Sequence, residues 1–270
     1  MSIKIIDCFI FYNELDLLLY RLSILDCQVD YFVIVEATHT FIGKEKNLIF
    51  NENKGLFQQF MHKIIHIIVE DLPYKYPNID CTKNQQWINE HFQRSAISRG
   101  LDLITILDDD IIILSDLDEI PDPSILSNIR DGSISIFINS LEMDMYYYNL
   151  NTKYNEKWAL AKIVSYYAYK GLNNECQTIR TLNTPTIKRG GWHLSYFGDS
   201  TFIKNKIINF SHQEFNTDSF TDILQIEKRI QDSSDLYDRH SNFEHIDIDN
   251  NTYLPPEYNT HLKKYVKLNI

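Results

Sequence analysis

The chain opens with a β-branched and aromatic run from Ile3 to Phe11, followed by polar Asn13-Glu14-Leu15-Asp16 and by Leu17, Leu18, Leu19, Leu22 and Leu25 at helical spacing. This pattern predicts a strand and then a helix. Asp30 to Glu36 reads as a second buried strand, Gly55 to His62 as helical, Lys63 to Val69 as a third strand, and Tyr74 to Lys83, preceded by Pro73 and containing Pro77, as a loop. Gln85 to Gly100 places Trp87, Ile88, His91, Phe92, Ala96 and Ile97 on one helical face and ends at glycine. Ile111 to Leu114 is a short aliphatic run bounded by polar residues, the mark of a strand buried on both faces. Pro121 and Pro123 stop that strand and set up a helix from Ser124 to Arg130. Strand and helix in alternation predict an α/β fold with a mostly parallel sheet and crossover helices.

The pattern changes after Gly132. Ile134 to Leu141, Met143 to Leu150 and Trp158 to Tyr169 are β-branched and aromatic, with polar connections such as Asn151-Thr152-Lys153, and predict added antiparallel strands. Tyr146, Tyr147, Tyr148, Tyr166, Tyr167 and Tyr169 cluster here. Aromatic faces stack on sugar rings, and tyrosines in strands also simply pack. Gly190 and Gly191, just before Trp192-His193, allow the backbone to approach something closely. Ser200 to Phe210 and Asp222 to Ile230 read as helices, the first closed by Ser211-His212-Gln213-Glu214-Phe215. From Asp235 the chain is polar, and it is expected to wrap the surface.

With 270 residues and 44% hydrophobic content the chain can bury a sizeable core. A net charge of −11 argues against nucleic acid or an anionic membrane as partner, because the field repels polyanions. Cys8, Cys27, Cys81 and Cys176 show no CxxC spacing and read as reduced thiols. No basic leader or run of about 18 apolar residues stands out, so the expectation is a cytoplasmic chain without a transmembrane segment.

Candidate chemistry centres on Asp116 and Asp118, two apart at the end of the aliphatic strand. An extended backbone points residues i and i+2 the same way, so the carboxylates converge, and a hard cation such as Mg²⁺ or Mn²⁺ relieves their repulsion. An Asp-x-Asp is also a common solvated turn, but ligands in open α/β sheets bind beyond the carboxyl ends of strands. Glu36 ends another strand and reads either as an ordinary strand-end carboxylate or as an acceptor for a ribose or base. Arg94 lies on the helix ahead of the acidic strand, within reach of the site. His193 reads as a structural histidine or a ligand. There is no G-x-G-x-x-G and no G-x-x-x-x-G-K, which excludes the phosphate-cradling loops of dehydrogenases and P-loop enzymes.

Taken together, Ile6-Asp7-Cys8-Phe9 with Asn13-Glu14-Leu15-Asp16, Asp30 to Phe41, Ser115 to Pro121, Gly191-Trp192-His193 and Ser211-His212-Gln213-Glu214 resemble the family 17 glycosyltransferases, over residues 4 to 230 or so. The resemblance implies a fold of the glycosyltransferase A type, one Rossmann-like domain over residues 1–270. Residues up to about 130 would bind the nucleotide and those to about 235 the acceptor, with the tail beyond them. It implies a nucleotide-sugar donor, a divalent ion on Asp116 and Asp118, and His193 completing the metal shell. Asn13, Glu36, Arg94 and Asp116 are the expected donor contacts, with Lys188 and Arg189 as further positive charge near the diphosphate. Animal members carry a membrane anchor that this chain lacks, so a bacterial or viral cytoplasmic enzyme fits better.

The expected reaction is inverting transfer, most simply of N-acetylglucosamine from UDP-N-acetylglucosamine, to a hydroxyl of a glycan or other acceptor, with Mn²⁺ or Mg²⁺. The acceptor proton goes to a carboxylate. Glu214 is the first candidate, Asp144 the second, and Glu119 and Asp199 follow. A nucleotidyltransferase and an inactive nucleotide-sugar-binding module are the alternatives. A glycosidase is disfavoured because carboxylates at i and i+2 lie too close and too parallel to flank a glycosidic bond at roughly 5–9.5 Å.

Overall fold

The computed structural model of the protein describes residues 3–239 and 242–267. Four parallel strands, β1 (Ile5–Phe11), β2 (Tyr31–Ala37), β3 (Ile64–Val69) and β4 (Ile111–Asp116), lie in the spatial order β3-β2-β1-β4. The chain returns between them through α1 (Leu15–Leu25), through α2 (Ile49–Glu52) with a 3₁₀ turn, and through α3 (Gln85–Ser95) and α4 (Ile97–Leu101). Alternate residues of each strand face opposite layers. Phe9, Phe32 and Ile113 pack with Leu18, Leu22 and Leu25 of α1, whereas Cys8, Val33 and Ile112 pack with Ala96, Ile97 and Leu101. Cover on both faces explains the continuous apolar runs.

Beyond β4 come β5 (Glu119–Pro121), α5 (Pro123–Arg130), β6 (Ile138–Tyr147), β7 (Thr152–Trp158), β8 (Lys162–Ser165), α6 (Tyr166–Gly171), α7 (Cys176–Thr181) and β9 (Thr186–Ser195). Then follow α8 (Ser200–Asn209), α9 (Asp218–Thr221), α10 (Ile223–Asp232), β10 (Phe243–His245) and α11 (Tyr258–His261), with short 3₁₀ turns between them. The sheet continues from β4 through antiparallel β8 to β6, β7 and β10, while β9 pairs parallel with β6 and antiparallel with β5. The expected α/β sheet with added antiparallel strands is present.

Several local expectations differ. The helix expected from Gln85 to Gly100 breaks at Ala96, and Gly100 is a contact residue inside α4: a Cβ there would lie 2.5 Å from a Val33 methyl. Thr152 and Lys153, expected in a connection, begin β7. Tyr166, Tyr167 and Tyr169 lie on α6, not on a strand, because the Ser165 hydroxyl accepts from the Ala168 amide and caps a helix there. The tail does more than wrap the surface. Leu236 and Leu262 are fully buried, Tyr253 packs on Trp192 with ring centroids 4.8 Å apart, and the Tyr20 hydroxyl donates to the Pro256 carbonyl. The last three tail residues lie outside the described residues.

The paired glycines act as their type predicts. Gly191 has φ +146°, and a Cβ there would sit 2.1 Å from the Ile120 carbonyl oxygen. Only glycine lets β9 lie this close to β5. That approach sets His193 opposite Glu119 in register, beside the acidic turn. Among the described residues no helix is long and apolar enough to cross a membrane.

Candidate functional site

The acidic turn between β4 and β5 is wrapped around a buried guanidinium. Arg21 of α1 is fully buried and donates to both carboxylate oxygens of Asp7 at 2.8 and 2.6 Å, and to the Ser115 hydroxyl at 2.6 Å. Its Nη1 also donates to the carbonyls of Asp116, Leu117 and Glu119 at 2.8, 3.0 and 2.8 Å. A buried charge is tolerated only when paired and hydrogen-bonded, and here the bonds that satisfy it also fix the path of the turn. Glu119, equally buried, accepts from the Asp116 amide at 2.7 Å and the Trp158 indole at 2.5 Å, and takes Arg180 of α7 on both oxygens at 2.6 and 3.0 Å.

Over this base opens a cavity of about 330 Å³ at the carboxyl ends of β1 and β4, lined by Tyr12, Glu14, Arg94, Asp116, Asp118, His193 and Lys206 among others. Asp116 is held by Arg94 at 2.5 Å through one oxygen and by Arg180 at 2.9 Å through the other. Burial pushes its carboxyl up, but the two guanidinium groups outweigh burial and hold it at about 2. Asp118 has Lys206 of α8 at 3.0 Å on Oδ2 and His193 Nε2 at 3.6 Å from Oδ1. Burial again opposes ionisation, and Lys206 and His193 again win, keeping Asp118 well below the usual carboxylate range. Lys206 is the mirror case: burial works against its charge, and Asp118 with Glu14 raises it above an ordinary lysine.

The formal charges around the cavity balance. Leaving the histidines out of the count, Glu14, Glu90, Asp116 and Asp118 are matched by Lys46, Arg94, Lys206 and Arg239, one cation for each carboxylate. Trp87, Tyr147, Trp158, Tyr196, Phe210 and Phe215 supply the cavity's aromatic wall.

Of the residues singled out from sequence, the structure brings Arg94, Asp116, Asp118 and His193 together. It does not do so for the others. Glu36 is fully buried and accepts from the Phe50 and Asn51 amides at 3.0 and 3.3 Å, with His66 at 3.1 Å, so its strand-end carboxylate holds α2 instead of facing the cavity. Asn13 is flanked by the cavity-lining Tyr12 and Glu14 but does not itself line the cavity. Asp144 sits on β6 between Met145 and its predecessor Met143; Met145 and Tyr147 line the cavity, so strand alternation turns Asp144 away, into ion pairs with Lys153 at 2.6 Å and with Lys157. Lys188 pairs with Glu142 and Arg189 lies over the Tyr253 ring, both away from the diphosphate position expected for them. Asp199 caps α8 by accepting from the Phe202 amide, and Glu119 is committed to Arg180. Glu214 stands at the rim. It does not line the cavity, but its Oε1 lies 2.7 Å from Nδ1 of His212, which does.

Sequence reading missed Arg180, Lys206 and His212. The first two sit on helices of 6 and 10 residues whose composition gives no sign of a site. His212 was visible in the polar cluster after α8 but overshadowed by its neighbouring acid.

Asp118 and His193 are the pair of side chains in the cavity whose separation one ion could span. Two atoms ligating one ion at roughly 2.0–2.2 Å are at most about 4.4 Å apart, and Asp118 Oδ1 and His193 Nε2 are 3.6 Å apart. Among the described residues no group of three or more such side chains is gathered, and Asp116 is drawn aside by its two arginines. A short protein ligand set is compatible with Mg²⁺-like binding, in which substrate phosphates and water complete the shell.

No curated protein matches the chain. The sequence model of Glycosyltransferase family 17 matches residues 1–265, which takes in all of β1 to β10 and every residue of the cavity. The chain therefore belongs to glycosyltransferase family 17, and the cavity above the acidic turn is the candidate active site of a glycosyltransferase.

Proposed function

We propose that the enzyme moves N-acetylglucosamine from UDP-N-acetylglucosamine to a hydroxyl of a glycan, with inversion, and that Asp118 and His193 hold Mn²⁺ or Mg²⁺ beside the donor. The observation that carries this reading is the pairing of Asp118 with His193 in a charge-balanced cavity at the strand ends. A nucleoside diphosphate sugar brings two negative charges into a space with no net positive charge to receive them. Burying those charges uncompensated is expensive, so the donor calls for a cation. When bound, the metal would neutralise charge developing on the departing diphosphate.

The protein's own groups do the rest. Arg94, oriented by Glu90 at 2.9 Å and Asp116 at 2.5 Å, directs a planar cation toward the donor. The aromatic wall offers flat faces to sugar rings. The acceptor proton passes to His212, whose Nδ1 donates to Glu214 and leaves Nε2 as the base. Glu214 thus acts as a positioning residue behind the imidazole.

Two measurements test the reading. In calorimetric titrations with UDP-N-acetylglucosamine, UDP-galactose and GDP-mannose, the first is expected to bind tightest, and at least about tenfold tighter with Mn²⁺ present. Preference for the guanosine donor overturns the donor assignment, and metal-indifferent binding overturns the ion. His212→Ala is expected to lower kcat about 10²–10⁴-fold with little change in donor KM, and Glu214→Gln to lower it less. An unchanged kcat for His212→Ala removes it as the base.

A further inference from the structure

We propose that Lys206 is the enzyme's own cation on Asp118, and that by holding that place it keeps divalent-ion affinity low until an anionic donor arrives. This inference rests on the metal reading above and adds a role for a residue of α8 to it. Lys206 Nζ lies 3.0 Å from Asp118 Oδ2 and 3.7 Å from Glu14 Oε1, with the Tyr196 ring centroid 5.3 Å away. Its side chain is 22% exposed, so these partners, more than water, set its charge environment. Glu14 is anchored in turn, because its carboxylate accepts from the Asn13 amide at 3.0 Å. The helix that delivers the lysine starts at a defined cap on Asp199.

Asp118 is therefore already satisfied on one oxygen by an ammonium, while the other faces His193 Nε2. A divalent ion entering between Asp118 and His193 must share one carboxylate with Lys206. Like charges a few ångströms apart in a partly dehydrated cavity repel strongly. A diphosphate changes the balance, since it supplies negative charge for both cations at once. Ion and donor then bind with positive coupling, each raising the affinity of the other by the same factor. The cavity's formal neutrality in the absence of donor is the same fact seen from the protein side.

The test uses the full chain and Mn²⁺ alone, with free Mn²⁺ followed by its electron paramagnetic resonance amplitude. Lys206→Met is expected to bind Mn²⁺ at least about tenfold tighter than wild type, and Lys206→Arg, which keeps the charge, to stay near wild type. Lys204→Met removes the same charge from the same helix away from Asp118 and is expected to change nothing. Adding UDP is expected to tighten Mn²⁺ binding more in wild type than in Lys206→Met. Equal Mn²⁺ affinity in wild type and Lys206→Met overturns the role of Lys206 and leaves the metal site standing. No Mn²⁺ binding by any variant, even with UDP-N-acetylglucosamine, overturns the metal site and this proposal together. Circular dichroism establishes that each variant is folded, and if Lys206→Met is not, Lys206→Gln takes its place in the comparison.

Discussion

Asp118→Asn is expected to lower kcat/KM for sugar transfer by about 10²–10³-fold, the scale on which one preorganised electrostatic contact to a transition state acts. The substitution keeps the volume of the side chain and removes its charge. Lys206 retains Glu14 at 3.7 Å, so the ammonium is not stranded, and the variant is expected to unfold in one cooperative transition with an unchanged far-ultraviolet spectrum. Asp116→Asn serves as the comparison. Its arginines keep other carboxylates, Arg94 with Glu90 and Arg180 with Glu119, so its folded state is equally protected. Steady-state kinetics with saturating acceptor decide the matter: activity of Asp118→Asn within about tenfold of wild type removes Asp118 from the centre of the reaction.

The second large effect concerns stability. Arg180→Met is expected to destabilise the fold by about 3–5 kcal/mol, the cost of leaving a buried charge without its partner. Glu119 is 0% exposed and loses both bonds from the guanidinium, keeping only the Trp158 indole and the Asp116 amide. A urea titration should show a lower midpoint with an unchanged slope. The double variant Arg180→Met with Glu119→Gln should recover part of the loss, because the stranded charge is then gone. A loss under about 1 kcal/mol for the single variant means that the pair is no stronger than an exposed one.

The acidic turn was legible because three signals agree there: a run of aliphatic residues, acids at i and i+2, and prolines that end the strand. Arg94 was legible because it lies on an amphipathic helix that must pack near that strand. The family match sets aside the nucleotidyltransferase alternative. Glu36 and Asp144 were misplaced for one reason. Period-two alternation says that neighbouring residues face opposite sides, but it does not say which side is the cavity. Glu36 points under α2 and Asp144 toward the lysines of β7. Tyr166 to Tyr169 were misread because aromatic content favours strands, while the Ser165 cap that decides for a helix is a single residue. Arg180 and Lys206 could not be found from local pattern, since their partners are 61 and 88 residues away in the chain.

Arg21 ties the birth of the active site to the completion of the fold. One guanidinium gathers Asp7 from the first strand, Ser115 from the fourth and three carbonyls of the turn, all onto a single helix. Until those segments have docked, the carbonyls have no common donor and the loop has no reason to hold its shape. A partly assembled chain therefore does not yet hold Asp116 and Asp118 in the positions they take at the cavity. Once assembly is finished, the loop starts each turnover already shaped for its task.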